Sequence, residues 1–479
     1  MSFHQLLEHP VWRAEDVGRP IPDSPHAVSL ALPRWDDVVA YEEKEPRILD
    51  RLVSGYPRFV VHPLVAQLAH RLGQGRPCLP FPSRNAAHQA ARYLGPPAQV
   101  VERDGLCGVV TTAAQADDLK LFWQHTGLIV STRQAEAILT GRRVSDDASV
   151  RARLRSQLAA WYDCRPDDVF LHPTGMAAMW AALRAVKTRR PTGATIQLGF
   201  PYVDTLKIQQ KYGGETHLLW RLDTVASELD RLLAQRDVSA VFCEVPGNPL
   251  LTTPDLRAVT PRLRARGVPL VADDVVATPI NVDLSPHAAL IATSLTKYVA
   301  GTGDVMGGAL ICNPRSPFYA ELKPIIAAEH EELLWIEDAV ILEEQAHSFP
   351  ERMRQHNANG LWIAERLRAH PAIERVWFPK WESAEAYEAL RRPGGGWSSL
   401  VTFLPRNADT ESPRIYDRME VCKGPSLGTM FSLACPFTLL AHYRELEWAE
   451  SCGVSRYLIR LSVGLENPAE LWRRLHLPD

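Results

Sequence analysis

The middle of the chain alternates two apolar periods. From about residue 165, short runs such as "DVFLH", "ATIQLGF", "SAVFCEV", "VPLVADD" and "ALIATS" are separated by longer amphipathic segments, among them "MAAMWAALRAVKTRR" and "PDLRAVTPRLRARG". Apolar runs of strand length joined by helix-length connections predict an α/β fold, a mostly parallel central sheet with helices on both faces. The ligand of such a sheet lies beyond the carboxyl ends of its strands. The polar residues that follow each run therefore carry the interest: Thr174-Gly175, Tyr202, Glu244 to Asn248, Asp273, and Ser294 to Lys297.

A long helical stretch, "LLWIEDAVILEEQAHSFPERMRQHNANGLWIAERLRAH", leads into a smaller α/β portion whose strands include "SSLVTFL" and "YLIRLSV". Residues 1–63 are rich in proline and charge with isolated aromatics (Trp35, Tyr41, Tyr56), a pattern that predicts an arm lying over another surface. The expected division is an N-terminal arm and extra region over 1–130, a large domain over 131–344 and a C-terminal domain over 345–479. A faint internal echo links "CLPFPSRNAAHQAARYL" with "VFLHPTGMAAMWAAL", with Arg84 in the first where the second has Gly175. Two helices with ordinary alanine faces would look the same.

Composition narrows the function. With 479 residues, 23% charged and a net charge of −3, nothing calls for nucleic acid or a polybasic membrane patch. No apolar run approaches bilayer length, and the first twenty residues lack the apolar core of a secretion signal. Eight scattered cysteines without a C-x-x-C pair point to reduced thiols, a cytoplasmic location and no metal site.

The chemistry gathers at three strand ends. Thr174-Gly175-Met176 sits between a strand and a helix start, where free N–H groups suit a phosphate or merely a cap. Asp273 ends an apolar run and needs a cationic partner in a semi-buried cleft. Lys297 follows the next run, and a desolvated lysine beside a buried acid is either half of an ion pair or an amine poised to condense with a carbonyl. Ser294 and Thr296 flank it with hydroxyls, and glycines from Gly301 to Gly308 allow close backbone approach. Together these parts match pyridoxal 5'-phosphate, with an aldehyde for Lys297, a ring nitrogen for Asp273 and a phosphate for both loops. Two lookalikes compete. "GTGDVMG" has the wrong spacing for a dinucleotide loop. "GPSLG" fits the serine-hydrolase elbow, with Glu447 and His476 as arbitrary triad partners.

Further motifs extend the match. "PTGMAAM", "GFPYVDT", "EVPGNPLLTTPDL", "ADDVVATP", "SLTKYVAGTGDVMGG", "FPERMRQHNANG", "GPSLG" and "LIRLSVGLEN", in this order over 130–467, resemble the cystathionine γ-synthase family of pyridoxal-phosphate enzymes of cysteine and methionine metabolism. "LPRWDDVVAYEEKEPRILDRLVSGYPRF" and "CPFTLLAHYRELEWA" look most like its longer fungal-type branch.

The resemblance implies fold type I, aspartate-aminotransferase-like, with a smaller α/β C-terminal domain. It implies that Lys297 binds the cofactor covalently and, once released, moves protons at the substrate. Asp273 would hold the ring nitrogen, Tyr202 would stack on the ring, and Gly175, Met176, Ser294 and Thr296 would hold the phosphate. Asn248 would lie near the ring hydroxyl and substrate carboxylate, Arg460 would clamp that carboxylate, and Ser426 would lie close by. Lys297, Tyr202 and Asp273 are thus the expected catalytic residues. In the family a neighbouring subunit supplies a Tyr-x-Arg pair to the phosphate. Two segments compete for it here, "GYPR" with Tyr56 and Arg58, and "VSTR" with Ser131 and Arg133.

The implied reaction is γ-replacement on an amino acid with a γ leaving group, an O-acylhomoserine taking a thiol. Alternatives are γ-elimination, an unusual γ-substitution on an acylated or halogenated amino acid in specialised metabolism, or a non-catalytic binding protein on the same fold. A homodimer or homotetramer with shared sites is expected. Pro425, Asp274 and Thr302 stand where the family usually has other residues, which leaves the nucleophile and leaving group open.

Overall fold

The computed structural model describes residues 3–103 and 105–478, without the side chain of Phe3. Three sheets organise the chain. The first is antiparallel and small: β1 (Cys78–Phe81), β2 (Gln99–Arg103) and β3 (Leu106–Val110), in the order β1-β3-β2. The second has seven strands: β4 (Val169–His172), β5 (Ala194–Leu198), β6 (Thr216–Leu219), β7 (Val238–Glu244), β8 (Leu270–Asp273), β9 (Leu290–Ser294) and β10 (Gly308–Cys312), in the order β4-β10-β9-β8-β7-β5-β6. β10 runs antiparallel to both its neighbours, and the other pairings are parallel. The third sheet, mostly antiparallel, has five strands: β11 (Ile373–Trp377), β12 (Leu400–Pro405), β13 (Cys422–Lys423), β14 (Leu433–Pro436) and β15 (Ile459–Ser462).

Strand residues of the seven-stranded sheet divide by parity between two cores. Leu171, Val241, Cys243, Ile291 and Ile311 join one cluster with the Ala148–Tyr162 helix, while Phe170, Ala240, Phe242, Leu290 and Leu310 join the other with the Gly175–Arg189 helix. Side chains alternate across a strand, so a run that is apolar at every position must be covered on both faces. Every residue of β7 is buried accordingly. With β10 reversed, the carboxyl ends of β4, β5, β7, β8 and β9 share one edge, and the register sets Glu244 beside Asp273 and Ser294 opposite Gly308.

Residues of the N-terminal arm do not form a core of their own. Leu30, Leu32, Trp35 and Val38 pack with Val401, Phe403, Tyr416 and Ile459 of the C-terminal sheet region. The buried Lys423 ammonium donates to the Pro33 carbonyl at 2.9 Å, and the Tyr416 hydroxyl to that of Leu32 at 2.7 Å. The long helix is one element, Ile336–Ala369, despite Pro350 within it. The echo is structural as well: β1 with the Arg84–Leu94 helix, and β4 with the Gly175–Arg189 helix, are both strand–turn–helix units.

Candidate active site

Lys297 lies three residues beyond β9, in a turn pinned to the start of β10. The Thr296 hydroxyl accepts the Gly307 N–H at 3.1 Å and faces the Gly307 carbonyl at 3.3 Å. These bonds fix the turn and aim Lys297 inward. Its Nζ is buried, 2.8 Å from Ser426 Oγ and 3.3 Å from the Tyr56 hydroxyl, and lies over the Tyr56 ring, 4.7 Å from the centroid. Burial holds the Lys297 amine below its ordinary range; Tyr56 opposes that shift, and Arg460 and Arg58 add to it. The Tyr56 phenol would be pushed up by burial, but the charges of Lys297 and Arg58 outweigh this and hold it below the usual tyrosine range.

Ser426 has φ +92, a conformation that residues with a side chain rarely adopt. It directs the hydroxyl to Lys297 and the carbonyl to Arg460 Nη2 at 2.7 Å. Arg460 Nη1 donates to Asn248 Oδ1 at 3.1 Å, and its Nε is buried without a partner. An orphaned guanidinium N–H inside a cleft is a place for an anionic ligand group.

At the strand ends, Asp273 Oδ1 accepts only the Val275 N–H, at 2.8 Å, and burial pushes its carboxyl up to about 7. No cation of the chain pairs with it among the described residues, so the place beside it suits a protonated ring nitrogen. Glu244 is raised to about 8 by burial and by Asp273 alongside, and it accepts the N–H groups of Tyr202 at 2.5 Å and Asn248 at 3.1 Å. Asp274 points elsewhere: the Tyr162 hydroxyl donates to it at 2.9 Å, and burial raises it to about 6.

The helix beginning at Gly175 is capped by Thr174, whose hydroxyl accepts the Ala177 N–H at 3.0 Å. That leaves the Gly175 and Met176 N–H groups in the first turn, where no helical carbonyl precedes them. A Cβ on Gly175 would lie 2.6 Å from Ser294 Cβ, so only glycine lets the helix start approach β9 this closely. Two N–H groups beside a serine hydroxyl form a phosphate-sized cradle, and with Lys297, Asp273 and the free Arg460 Nε the residues present fit pyridoxal phosphate and an amino-acid carboxylate.

Of the two Tyr-x-Arg candidates, the structure brings Tyr56 and Arg58 to this site. Arg58 is buried, pairs with Asp204, and donates to the Gln124 carbonyl at 2.9 Å and to the Tyr202 hydroxyl at 2.6 Å. Arg133 instead donates to the Asp304 carbonyl at 2.6 Å and pairs with Asp338 at 3.0 Å, while Ser131 caps its helix. Within this chain Tyr56 and Arg58 stand beside Lys297 and Tyr202. The hydrolase alternative also fails. "GPSLG" follows a two-residue strand, Ser426 faces a lysine, and His476 pairs with Glu420 at 3.2 Å. Sequence reasoning missed Asp204, which reads as an ordinary first-turn helix acid, and did not assign Glu244 although it ends an apolar run.

Comparisons with known proteins fall in line. A family model described as Cys/Met metabolism PLP-dependent enzyme matches residues 148–476. Over 95% of this chain and 96% of the relative, the sequence is 30% identical to a cystathionine gamma-synthase of Neurospora crassa. It is 33% identical to an L-2-amino-4-chloropent-4-enoate dechlorinase/desaturase of Streptantibioticus cattleyicolor, over 95% of this chain and 97% of the relative. Among solved structures, a cystathionine gamma lyase of Micromonospora echinospora superposes with a TM-score of 0.60 at 26% identity, covering 69% of this chain and 86% of that one. The fold is the type I fold of these enzymes. The chain belongs to the pyridoxal-phosphate-dependent enzymes of cysteine and methionine metabolism, and pyridoxal 5'-phosphate is its cofactor.

Proposed function

We propose that the chain catalyses replacement of a γ leaving group on an amino acid, in the manner of cystathionine γ-synthesis. The observation that carries this reading is the setting of Lys297 Nζ, between a tyrosine hydroxyl and a serine hydroxyl and within reach of a carboxylate clamp. Bound pyridoxal phosphate supplies an electron sink for the substrate's Cα. Gly175, Met176, Ser294 and Thr296 would hold its phosphate, Tyr202 would pack against its ring and Asp273 would keep a proton on the ring nitrogen. Arg460, with Asn248 and Ser426, orients the substrate carboxylate. Lys297, its amine made less basic by burial, takes the Cα proton and then serves Cβ and Cγ in turn. With its acidity raised by Lys297 and Arg58, Tyr56 is near enough to Lys297 Nζ, at 3.3 Å, to take that proton as the phenolate and return it as the phenol.

A second reading has its own support. Alignment to the dechlorinase/desaturase spans 495 positions for this 479-residue chain, against 601 for the Neurospora crassa relative, so the former needs far fewer insertions. That favours elimination of a γ substituent from a halogenated amino acid in specialised metabolism. Residues 131–344 serve as the cofactor domain and 345–479 as the C-terminal domain, with 1–130 as the arm and extra region. The enzyme works as a homodimer or homotetramer in the cytoplasm. Its eight free cysteines support that location, and no helix among the described residues is long and apolar enough to cross a membrane.

The test offers O-acylhomoserines with and without cysteine, and separately a 4-chloro amino acid, following cystathionine, 2-oxo acid and chloride. Cystathionine formation that needs cysteine supports replacement, and chloride release without a thiol moves the assignment to elimination. Lys297→Ala is expected to lose the visible cofactor band and to cut turnover by about 10³-fold or more. A Lys297→Ala protein with full turnover would sink both readings.

A further inference from the structure

We propose that Ser29 of the N-terminal arm is a positioning residue for the substrate site: its hydrogen bond to the Pro425 carbonyl holds Ser426 in the conformation that serves Lys297 and Arg460. The inference rests on the reading of Lys297 as the cofactor lysine and of Arg460 as the carboxylate clamp.

Ser426 needs holding. At φ +92 a residue with a Cβ is strained, and such a conformation persists only where the surroundings impose it. Both contacts of Ser426 depend on it: the hydroxyl lies 2.8 Å from Lys297 Nζ, and the carbonyl accepts from Arg460 Nη2 at 2.7 Å. Relaxation to an ordinary negative φ would swing the side chain and the carbonyl about the N–Cα bond, and the two contacts would be lost together.

The far side of the turn is tied down by its neighbours. The Gly428 N–H donates to Ser462 Oγ at 2.8 Å, and the Met430 N–H donates to the Gly301 carbonyl at 2.8 Å, which joins the turn to the loop after Lys297. On the near side, Pro425 has no N–H to give, so its peptide with Ser426 is fixed through the carbonyl. Ser29 Oγ donates to that carbonyl at 2.6 Å, and Ser29 is 1% exposed.

The arm is built to bring Ser29 there. Pro20 and Leu30 form an antiparallel bridge, and the Ile21 N–H donates to the Ser29 carbonyl at 3.0 Å. Just beyond, the Leu32 N–H donates to the Lys423 carbonyl at 2.9 Å. One residue before Ser29, the Val28 N–H donates to the Gly303 carbonyl at 2.9 Å. Two successive arm residues therefore reach the loop that follows Lys297 and the turn that carries Ser426. The approach requires a glycine in the turn, since a Cβ on Gly424 would run into the Leu30 carbonyl oxygen.

The test removes the donor with Ser29→Ala and leaves the backbone bonds of the arm in place. One probe is free glycine, an amino acid with no γ group to lose, titrated against holoprotein and read by its shift of the visible cofactor band. The other is pyridoxal phosphate, titrated against apoprotein and read by tryptophan quenching. Ser29→Ala is expected to weaken glycine binding at least fivefold and to raise KM by a similar factor. The same variant should lower kcat less and keep cofactor affinity within twofold of the parent. Ser29→Thr keeps the hydroxyl and is expected to recover most of the glycine affinity. Ser24→Ala removes a different contact of the same arm, to Asp304 at 3.4 Å, and is expected to bind glycine as the parent does.

Parent-like glycine affinity in Ser29→Ala would overturn the proposal. Equal weakening in Ser24→Ala would overturn it too, because looseness of the whole arm would then be the cause. Should Ser29→Ala not fold, Ser29→Cys, with its weak S–H donor, is read by the same criteria. A second route uses Ser426→Gly, in which φ +92 carries no strain. Adding Ser29→Ala to that background is expected to change glycine affinity less than twofold, and a further fivefold loss there would show that Ser29 acts elsewhere. A visible band that Lys297→Ala retains would overturn the reading of the lysine and the proposal with it. The other adverse results overturn the proposal alone.

Discussion

The turn between β1 and the Arg84–Leu94 helix and the turn between β4 and the Gly175–Arg189 helix share their local construction. In each, a hydroxyl at the helix cap, Ser83 or Thr174, accepts the N–H three residues on at 3.0 Å. Their surroundings differ. The first opens onto a carboxylate of the same chain: Glu331 Oε2 accepts from Ser83 Oγ at 2.8 Å and from Asn85 Nδ2 at 3.2 Å, and the Arg84 side chain is 69% exposed. The second opens onto Ser294, with a glycine where the first has arginine. A capped helix start is thus a generic product of strand-to-helix turns. On the function proposed above, it serves a phosphate only where a glycine lets another strand end approach and, among the described residues, no carboxylate fills the opening.

The largest effect should come from exchanging what distinguishes the two turns. Gly175→Ala puts a methyl where only 2.6 Å is available to Ser294 Cβ, so β9 or the helix start must move. Cofactor dissociation is expected to rise at least tenfold, about 1.4 kcal/mol. Arg84→Ala at the matching exposed position should leave affinity unchanged and stability within about 0.5 kcal/mol. Titration of each apoprotein with pyridoxal phosphate checks both, and equal affinities in the two variants would erase the contrast.

A second contrast is electrostatic. Glu331 at the first turn is already hydrogen-bonded, whereas the strand ends near the second carry Glu244, Asp273 and Asp274, raised by burial to about 8, 7 and 6. A raised carboxyl pKa means that the folded chain binds the proton more tightly than the unfolded chain. The stability it contributes is full below the unfolded carboxyl range near 4 and is lost as pH rises through the folded values. Buried histidines such as His172 and His356 shift the other way, but they act on apo- and holoprotein alike. A ring cation beside Asp273 removes that residue's share. The difference in melting temperature between holo- and apoprotein should therefore widen by about 2–5 °C from about pH 5 to about pH 8. Asp273→Asn should flatten it, and a difference independent of pH would show that Asp273 meets no cation.

The legibility of the site follows the same division between local and long-range causes. Strand ends were readable because a strand covered on both faces is apolar throughout and its first polar residue stands out, as Asp273 and Ser294 do. β10 was not readable: "GALIC" follows the glycines after Lys297 and merges with a loop, and its antiparallel direction depends on β4 and β9. Composition marked residues 1–63 as an arm, but not which surface they cover. The choice between Tyr56–Arg58 and Arg133 lay beyond sequence because it turns on distant partners, Asp204 for Arg58 and Asp304 with Asp338 for Arg133. Asp204 itself gave no signal, since an acid in a first helical turn usually serves the helix dipole.

The smallest expected effect separates the two caps themselves. Ser83→Ala removes one cap bond and one contact to Glu331 at a partly open site, so a loss of about 1 kcal/mol and no change in cofactor affinity are expected. Thr174 is 3% exposed, and its hydroxyl also donates to the Gly127 carbonyl at 3.0 Å. Thr174→Ala therefore strands a buried acceptor as well as the Ala177 N–H, for about 2 kcal/mol, and Thr174→Ser should recover most of it. Denaturant melts of the three apoproteins read these differences directly. Equal losses for the two alanine variants would mean that the second cap is no more deeply built than the first. In that case the glycine and the facing strand end alone would account for what distinguishes the cofactor turn from its echo.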